Sequence, residues 1–248
     1  MKKYLCILML VLSSFAFGKK LYVGTNAEFV PYEYLEDNKL KGFDIELMEA
    51  IGKELGYEIV WTNMGFDGLL PALQMKKIDA VIAGMSPTPE REKAVSFSGP
   101  YMLVDSNEHY VLVNSASTIT KKEELKGKKV GVQIGTIQEQ FTKDLGGIPV
   151  LYDGWTNAIM DLKNKKIDGV IIADVTGKKY LETISGIKKV DVVLDKNPGV
   201  AIAFRKNDKI IPKINEAIET LDNNGEYLKL LEKYFPQKVE KYKKNRLK

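Results

Sequence analysis

The amino-acid sequence predicts an α/β protein made of two related units. Between residues 21 and 83, and again between 130 and 173, short runs rich in β-branched residues alternate with amphipathic helical stretches. This β-α-β-α-β order is typical of a parallel sheet covered by helices. In addition, LQMKKIDAVI at 73–82 recurs as LKNKKIDGVI at 162–171, with seven of ten positions identical. The repeat predicts two lobes that face one cleft, and chance similarity of two helix–strand junctions is the alternative.

The first 18 residues are interpreted as a signal peptide. Two early lysines precede the uncharged stretch YLCILMLVLSSFAF, whose 14 residues fall short of the ~20 that a membrane-spanning helix needs. Ala16-Phe17-Gly18 has the small-x-small pattern of a cleavage site, so we expect cleavage near Gly18. Cys6 lies inside the apolar stretch, which disfavours a lipid-modified cysteine. A buried N-terminal helix is the alternative interpretation.

The composition excludes several classes of protein. With 44% hydrophobic and 28% charged residues, the chain is expected to be globular rather than disordered or collagen-like. Its 37 basic and 33 acidic residues give a net charge of +4, too small for a nucleic-acid-binding groove. One cysteine and one histidine argue against a structural zinc site and against Cys/His catalysis. Because the leader carries the only cysteine, we expect a soluble, exported protein without a disulfide.

Each predicted element follows from a local pattern. In the first unit, apolar residues at 43, 47, 51 and 55 draw one helical stripe that Gly56 ends. The other elements of this unit are strands at 21–25, 57–62 and 78–83 and a helix at 68–76. The second unit has predicted strands at 130–133, 149–152 and 167–173 and helices at 138–145 and 156–164. Thr120 and Glu123 have capping-box spacing, which predicts a short helix before the second unit.

The C-terminal part returns to helix. Helices are predicted at 210–221 and 226–234, and Asn223-Asn224-Gly225 between them is expected to form a C-cap and turn. The last residues, KVEKYKKNRLK, form a charge run. We interpret this run as a solvated end and assign it no function.

Common enzyme motifs are absent from the sequence, namely GxxxxGK[ST], HExxH, GxSxG and paired CxxC. The only histidine, His109, begins a β-rich run at 109–113, so we interpret it as an ordinary strand residue rather than a ligand. Gly135-Thr136 follows a strand and could place backbone N–H groups at a helix N-terminus, which suits an anion. That signal is weak by itself, because glycine is common in α/β loops.

The segment at 83–91 (AGMSPTPER) is more informative. A strand ends at Gly84, and Pro89 suits the first turn of a short helix that contains Arg91. This places a free carbonyl, a hydroxyl and a guanidinium at the C-terminal edge of a strand, where ligands bind open α/β sheets. The planar guanidinium fits a carboxylate with two hydrogen bonds. Considered alone, a surface ion pair of Arg91 with Glu90 or Glu92 is the better interpretation.

Five segments follow the leader in a characteristic order. They are GTNAEFVPYE at 24–33, GFDIEL at 42–47, FDGLLPAL at 66–73, AGMSPTPER at 83–91 and FSGPY at 97–101. With them, the chain from Leu21 to Phe235 resembles the extracellular solute-binding proteins of polar amino-acid ABC importers, family 3. The resemblance implies a two-lobed periplasmic-binding-protein fold of type II with the ligand in the cleft between the lobes. It also changes the interpretation of Arg91 from a surface residue to a ligand-binding one.

By this resemblance, Arg91 clamps the α-carboxylate of a free amino acid, helped by Ser86 and by N–H groups around Gly135-Thr136. The Gly84 carbonyl accepts from the α-ammonium, and two phenylalanines in strand-to-helix loops form apolar walls around the ligand. The complete expected set is Asn26, Phe29, Phe66, Gly84, Met85, Ser86, Arg91, Gln133, Gly135, Thr136 and Asp174. The resemblance implies no cofactor and no metal ion.

Two departures from the family pattern concern the ligand's positive charges. In the family, the acidic residue for the α-ammonium commonly lies five positions beyond the residue that matches Asp168. In this chain that position is Ala173, and the nearest acidic residue, Asp174, lies one position later. We expect a bulge to bring Asp174 into place, although the ammonium could be held otherwise. Members that take basic side chains often carry Asp where this chain has Asn26, which disfavours lysine or arginine. Gln133 is equally neutral, so a polar ligand is expected, with basic ones still candidates.

The resemblance also implies the division of the chain and its partners. Lobe 1 is expected to comprise residues 19–101 plus 200–248 and lobe 2 residues 106–195, with hinge crossovers near 102–105 and 196–199. We expect a periplasmic monomer that delivers its amino acid to the membrane subunits of an ABC permease and binds no nucleic acid.

Two other functions remain as alternatives. One is a periplasmic enzyme on the same fold, similar to cyclohexadienyl dehydratases, for which Asp174 and Glu28 are the candidate acid–base pair. The other is a sensory module, although nothing resembling a transmembrane or kinase segment is attached.

Overall fold

The structure, a computed structural model, describes residues 18–102, 107–197 and 199–246. The predicted signal peptide up to residue 17 therefore lies outside the described residues. The same holds for residues 103–105 of the first predicted hinge crossover and for Pro198 of the second.

Two five-stranded sheets form the centres of the two lobes. The strands of the first sheet are β1 (Lys19–Thr25), β5 (Tyr57–Asn63), β6 (Ala80–Val81), β7 (Val95–Met102) and β13 (Val200–Arg205). Those of the second are β8 (Asn107–Asn114), β9 (Lys129–Gln133), β10 (Ile148–Tyr152), β11 (Gly169–Ala173) and β12 (Ile187–Asp195). A small antiparallel sheet in the first lobe contains β2 (Glu28–Phe29), β3 (Glu33–Glu36) and β4 (Lys39–Lys41).

The two large sheets share one topology. The strand orders are β5-β1-β6-β13-β7 and β10-β9-β11-β8-β12. In each sheet the first three strands are parallel, whereas the fourth is antiparallel to both of its neighbours. The strands of the two predicted β-α-β-α-β units are parallel, as expected, and each sheet gains an antiparallel strand that the alternation did not predict. The chain enters the second lobe through β8 and returns to the first lobe through β13. Both strands therefore begin at the sheet edge where the parallel strands end.

The sequence repeat corresponds to a repeated structure. In the first lobe, the N–H of Asp79 donates to Tyr22 O at 2.7 Å, and its carboxylate accepts from Tyr22 N–H at 3.2 Å. In the second lobe, Asp168 makes the same pair of bonds with Lys129, both at 2.8 Å. The preceding turn has left-handed backbone at matching positions, Lys76 (φ 59°) and Lys165 (φ 60°). Chance similarity does not account for this shared geometry.

Helices cover the sheets on both faces. In the first lobe they are α1 (Phe43–Leu55), α2 (Phe66–Gln74), α3 (Pro89–Ala94), α7 (Ile211–Asn223), α8 (Glu226–Tyr234) and α9 (Val239–Arg246). In the second lobe they are α4 (Ile137–Asp144), α5 (Trp155–Lys163) and α6 (Asp174–Thr183). In the part of the chain that the structure describes, no helix has the length and apolar character that crossing a membrane requires.

Alternating strand residues bury both faces of each sheet. In β13, Ile202 and Phe204 pack in a core with α1, α7 and α8, whereas Ala203 faces α2. In β11, Ile172 packs with α5, and Ile171 belongs to the core on the side of α4. Strands covered on both faces are expected in α/β lobes. The predicted α/β class with two sheet-containing lobes is confirmed.

Helix ends follow their local signals with one exception. Gly56 ends α1 in the left-handed conformation, with φ of 72°. The short helix before β9 is a 3-10 turn at Lys122–Leu125 whose N-cap is Lys121. The N–H of Thr120 instead donates to the carboxylate of Glu124 at 3.0 Å. The predicted capping box was wrong by one residue, because Thr120 pairs with the next acidic side chain.

The charged C-terminal run is a helix that packs on the first lobe, so the expectation of a solvated end was wrong. Val239 is buried in the core of that lobe. The ring of Tyr242 lies 5.5 Å from that of Tyr227, and its hydroxyl donates to the carboxylate of Asp222. Arg246 donates to Asp222 O at 2.7 Å. The apolar and aromatic residues that hold α9 lie three positions apart, on one face.

Candidate functional site

A cavity of about 530 Å³ lies between the lobes, where the parallel strands of both sheets end. Nine of the eleven predicted site residues line it: Asn26, Phe29, Phe66, Gly84, Ser86, Arg91, Gln133, Thr136 and Asp174. Two do not. Met85 is buried in the core against α2, and its carbonyl accepts from Ala201 N–H at 3.0 Å. Gly135 is not a lining residue, but its carbonyl accepts a hydrogen bond from Arg91 at 3.0 Å.

Arg91 is held at the cavity by α3, whose N-cap Thr88 accepts the Arg91 N–H at 3.2 Å. Its guanidinium donates to Ser86 O at 2.8 Å in the first lobe and to Gly135 O at 3.0 Å in the second. It also lies 5.3 Å from the centre of the Phe66 ring. Burial lowers the pKa of Arg91 to about 10, so the group remains a cation at neutral pH. The hydrogen-bond acceptors of this desolvated cation are uncharged carbonyls.

Gly84 follows β6 and has a left-handed backbone, with φ of 52°. A Cβ at this position would lie 2.3 Å from the ring of Phe29, so only glycine fits against that wall. Its N–H donates to Asp44 Oδ2 at 2.8 Å, and the Tyr101 hydroxyl donates to the same oxygen at 2.7 Å. A buried carboxylate therefore holds the peptide whose carbonyl was predicted to receive the ligand's ammonium.

Asp44 forms part of a buried acidic pair that the sequence analysis did not identify. Asp44 and Glu33 are 0% and 1% exposed. Burial raises the pKa of Asp44 to about 6, and burial next to Asp44 raises the pKa of Glu33 well above its usual range. At neutral pH, Asp44 therefore carries the charge, and the Glu33 carboxyl beside it is shifted toward its protonated form. Both residues lie in segments that carry the family resemblance, GTNAEFVPYE at 24–33 and GFDIEL at 42–47, which gave the only signal for this pair.

Aromatic side chains form one wall of the cavity. Phe29 stacks on Tyr32 with ring centres 4.8 Å apart, and Tyr32 lies 4.8 Å from Phe235. Phe29 ends the short strand β2 and Phe66 is the first residue of α2. The expectation that both phenylalanines lie in loops was therefore wrong. Tyr32, which also lines the cavity, was not predicted.

Two neutral side chains join the lobes. Gln133, at the end of β9, donates to Asn26 Oδ1 at 2.8 Å and to Asp153 O at 2.9 Å. Asn26 in turn donates to Met64 O at 2.9 Å. Both amides are thus oriented by hydrogen bonds, and neither brings a charge to the cavity.

The loop before α4 presents a carbonyl, not an N–H group, to Arg91. The Gly135 N–H points to the Glu139 carboxylate at 3.4 Å, and the Thr136 hydroxyl donates to Gln133 O at 2.7 Å. A Cβ on Gly135 would lie 3.1 Å from Asp67 Cα in the first lobe. Glycine therefore allows close approach of the two lobes here. The predicted anion contact would require this loop to turn its N–H groups toward the cavity.

Asp174 reaches the cavity without a bulge. The pairing of β11 with β8 is regular from residue 170 to 173, and α6 begins directly at Asp174. Its carboxylate lies at the positive end of the α6 dipole. Burial raises the pKa of Asp174, while the Val175 N–H and the nearby Lys238 lower it. The bulge predicted for this position is absent, because the strand ends and the helix supplies the turn.

Two further side chains are relevant to the alternative functions. His109 lies in β8 as predicted, but it also lines the cavity; burial lowers its pKa to about 4, so its ring is neutral. Glu28 is not among the cavity-lining residues; its carboxylate lies beside Gly154 of the second lobe, and partial burial raises its pKa. Within residues 18–102, 107–197 and 199–246, no group of three or more His, Cys, Asp or Glu side chains is arranged to hold a metal ion.

Comparison with known proteins agrees with this geometry. Residues 21–237 match bacterial extracellular solute-binding proteins, family 3. The arginine-binding extracellular protein ArtP of Bacillus subtilis is 37% identical over 255 aligned positions, covering 95% of this chain and 98% of ArtP. A probable histidine-binding protein of Campylobacter jejuni is 37% identical over 217 positions, covering 86% of this chain and 84% of that protein.

A solved structure is similar over almost its whole length. It is an ancestral arginine-binding protein bound to arginine, with 39% identity and a TM-score of 0.80, covering 88% of this chain and 99% of that structure. The sequence resemblance, the two-lobed fold and the cavity at the strand ends point in the same direction. The chain therefore belongs to the bacterial extracellular solute-binding proteins, family 3.

Proposed function

We propose that this protein binds a free polar amino acid between its lobes and delivers it to an ABC permease for import. The observation that carries the proposal is Arg91, a desolvated cation at the cavity whose guanidinium, among the residues that the structure describes, donates to the carbonyl oxygens Ser86 O and Gly135 O. A ligand carboxylate is a stronger acceptor than either carbonyl and has the geometry of the guanidinium fork. Asp195 raises the pKa of Arg91 but does not hydrogen-bond to it among the described residues, so a ligand carboxylate would be the anion directly bound to this guanidinium.

The other end of the cavity suits the ammonium of the same ligand. Asp174 supplies a carboxylate, and the Gly84 carbonyl, on a peptide held by Asp44, supplies a neutral acceptor. A zwitterion must lose its water on binding, so both of its charges need oriented partners. Charge-assisted hydrogen bonds contribute roughly 1.5–3 kcal/mol each, so four or five of them, less ordering costs, reach micromolar affinity at about −8 kcal/mol.

The side chain of the ligand is proposed as polar. The relatives named for arginine and histidine make basic amino acids the first to test. The neutral pair of Asn26 and Gln133 favours ligands with an uncharged polar group. Selectivity depends on a few partners at this end of the cavity, so one altered side chain can change it.

The proposal extends to the whole chain. Lobe 1 comprises residues 19–101 plus 200–248 and lobe 2 residues 106–195, with the chain crossing near 102–105 and 196–199. The protein is exported with cleavage near Gly18, acts as a monomer and has no catalytic role. The exposed position of Glu28, outside the cavity, supports binding over the dehydratase alternative.

A thermal-shift screen against the twenty amino acids tests the function. A true ligand at 100 times its Kd adds about 2.7 kcal/mol to the unfolding free energy. For a chain of this size, this raises the Tm by roughly 5–10 °C. The matched control is the amine that lacks the α-carboxylate, such as agmatine for arginine, and we expect it to give no shift. Stabilisation by none of the twenty would contradict the proposal, and turnover of prephenate or arogenate would favour the enzyme.

Asp44→Asn tests whether the buried carboxylate supports the ammonium end of the site. We expect amino-acid affinity, measured by calorimetry, to fall by about tenfold, because the Gly84 N–H and the Tyr101 hydroxyl lose a charged acceptor. Asp144→Asn is the control, because Asp144 is exposed. Surface substitutions usually change free energies by roughly 0.5 kcal/mol or less, so its affinity should stay within about twofold of wild type. An Asp44→Asn protein that binds like wild type would exclude this role.

The same variant has a pH signature in stability. The pKa of Asp44 is raised to about 6 in the folded state, above its usual 3.8, so the folded protein holds this proton more tightly than the unfolded chain. Wild type should therefore lose stability as pH rises from about 4 to about 6, and Asp44→Asn should lose less over the same interval. Burial also raises the pKa of Glu33, so Glu33 contributes a loss of its own in both proteins, and the difference between them reports Asp44. Denaturant titrations at pH 4 and 7 measure the difference, and a constant gap between the two proteins would contradict the assignment.

A further inference from the structure

The C-terminal segment places a cation at the cavity. Residues Pro236–Lys238 form a 3-10 turn that leads into α9, and Lys238 and Tyr242 line the cavity. The segment is held on the first lobe by the buried Val239 and by the bonds of Tyr242 and Arg246 to Asp222. Lys238 is therefore presented from an anchored element.

Lys238 lies at the end of the aromatic wall. Its ammonium is 5.0 Å from the centre of the Phe235 ring, which packs at a tilt against Tyr32, the ring that stacks on Phe29. The ammonium is partly buried, and burial lowers the pKa of Lys238 while Asp174 raises it. A cation held over a ring and away from bulk water keeps a strong electrostatic interaction with any anion that faces it.

Lys238 of the first lobe and Asp174 of the second line the same cavity, and the charge of each acts on the pKa of the other. Glu108, on β8, also borders this cavity and adds a second negative group. The phenols of Tyr32 and Tyr110 also interact with Asp174, and both are neutral at physiological pH because burial raises their pKa. Among the described side chains, Lys238 is the cation whose charge lowers the pKa of Asp174.

We propose that Lys238 is a resident counter-cation that takes the place of the ligand's α-ammonium beside Asp174 and so sets the affinity of the site. This inference rests on the proposed function. In the empty protein, Lys238 stabilises the Asp174 carboxylate. When an amino acid binds, its ammonium must compete with that interaction and lies near a like charge. Lys238 therefore weakens binding, and its effect depends on the α-amino group rather than on the side chain.

Lys238→Met keeps the apolar stem over Phe235 and removes the charge. For the amino acid with the highest affinity in the thermal-shift screen, we expect calorimetry to give about tenfold tighter binding, a change of about 1.4 kcal/mol. For the analogue of that ligand without the α-amino group, the change should stay below about twofold, since nothing then competes for Asp174. Lys244→Met, an exposed change on α9, is the matched control and should bind like wild type.

An equal gain for both ligands, an unchanged affinity or weaker binding in Lys238→Met would each overturn the inference. In Asp174→Asn the Lys238→Met gain should disappear, and its persistence would also overturn it. A ligand-free measurement separates this inference from the proposed function. In denaturant unfolding of the empty protein, the double-mutant cycle of Lys238→Met and Asp174→Asn should show favourable coupling. Coupling without any binding of amino acids would leave the Lys238–Asp174 pair in place and remove the proposed function instead.

Discussion

Arg91→Ala should weaken amino-acid binding by ~3–5 kcal/mol, which takes a micromolar ligand out of the measurable range. The guanidinium is the cation predicted to bind the α-carboxylate. Its present acceptors, Ser86 O and Gly135 O, are carbonyl oxygens and cannot donate a hydrogen bond to a carboxylate. Removing the side chain would leave a desolvated anion with only hydroxyl and backbone donors. Isothermal titration calorimetry with the amino acid found in the screen measures the loss.

The variant should remain folded. Burial already lowers the pKa of Arg91, so the empty protein gains little from holding this charge, and α3 is capped by Thr88 without it. Arg91→Lys is the matched control, because it keeps a cation but loses the planar fork and should recover only part of the affinity. Unchanged affinity in a folded Arg91→Ala protein would remove the whole site assignment.

Asp174→Asn should weaken binding by roughly 2–4 kcal/mol, the scale for breaking a desolvated charge pair. The substitution keeps the shape of the side chain and its position as the first residue of α6, so the change isolates the charge. A carboxylate that pointed away from the ligand would give a difference within ~0.5 kcal/mol, as surface substitutions do. The cavity-lining position of Asp174 favours the larger effect.

A ligand without the α-amino group identifies the partner of Asp174. In wild type, this truncated ligand should bind much more weakly than the parent amino acid. In Asp174→Asn, the two ligands should differ little in affinity. Glu28→Gln is the control at the other acid once considered for an acid–base pair, and it should change binding by less than ~0.5 kcal/mol because Glu28 is exposed outside the cavity. Equal losses of the truncated ligand in wild type and in Asp174→Asn would exclude Asp174 as the ammonium partner.

Much of the fold could be predicted because its signals are local. The apolar stripe and the terminal glycine predicted α1 from Phe43 to Leu55, and the structure has the same bounds. The helix at 226–234 also matches α8. The repeat at 73–82 and 162–171 identified equivalent turns in the two lobes, because each turn is closed by its own backbone bonds, Lys77 N–H to Ala72 O and Lys166 N–H to Asp161 O. Strand β6 was predicted too long, since regular strand geometry covers only Ala80–Val81.

The candidate site was predicted in part, and mostly through resemblance. Local patterns placed Gly84 and Arg91 at a strand end and in a short helix, but composition and spacing could not distinguish a ligand-binding arginine from a surface one. Met85 was included because it lies between two such residues, yet it turns into the core against α2. Sequence neighbours at a strand end point in opposite directions, so adjacency does not imply a shared cavity.

By itself, the sequence determined the class of fold, the repeat of one unit in two lobes, and the helices and turns built from residues near one another in the chain. Tertiary structure alone decided which distant groups meet. Asp44 holds the Gly84 peptide from 40 positions away, and Lys238 from the C-terminal segment lines the same cavity as Asp174 of the other lobe. The antiparallel direction of β8 and β13 likewise depends on where the chain crosses between lobes. Periodicity reports which face of an element is buried, whereas these contacts depend on how two lobes pack around one cavity.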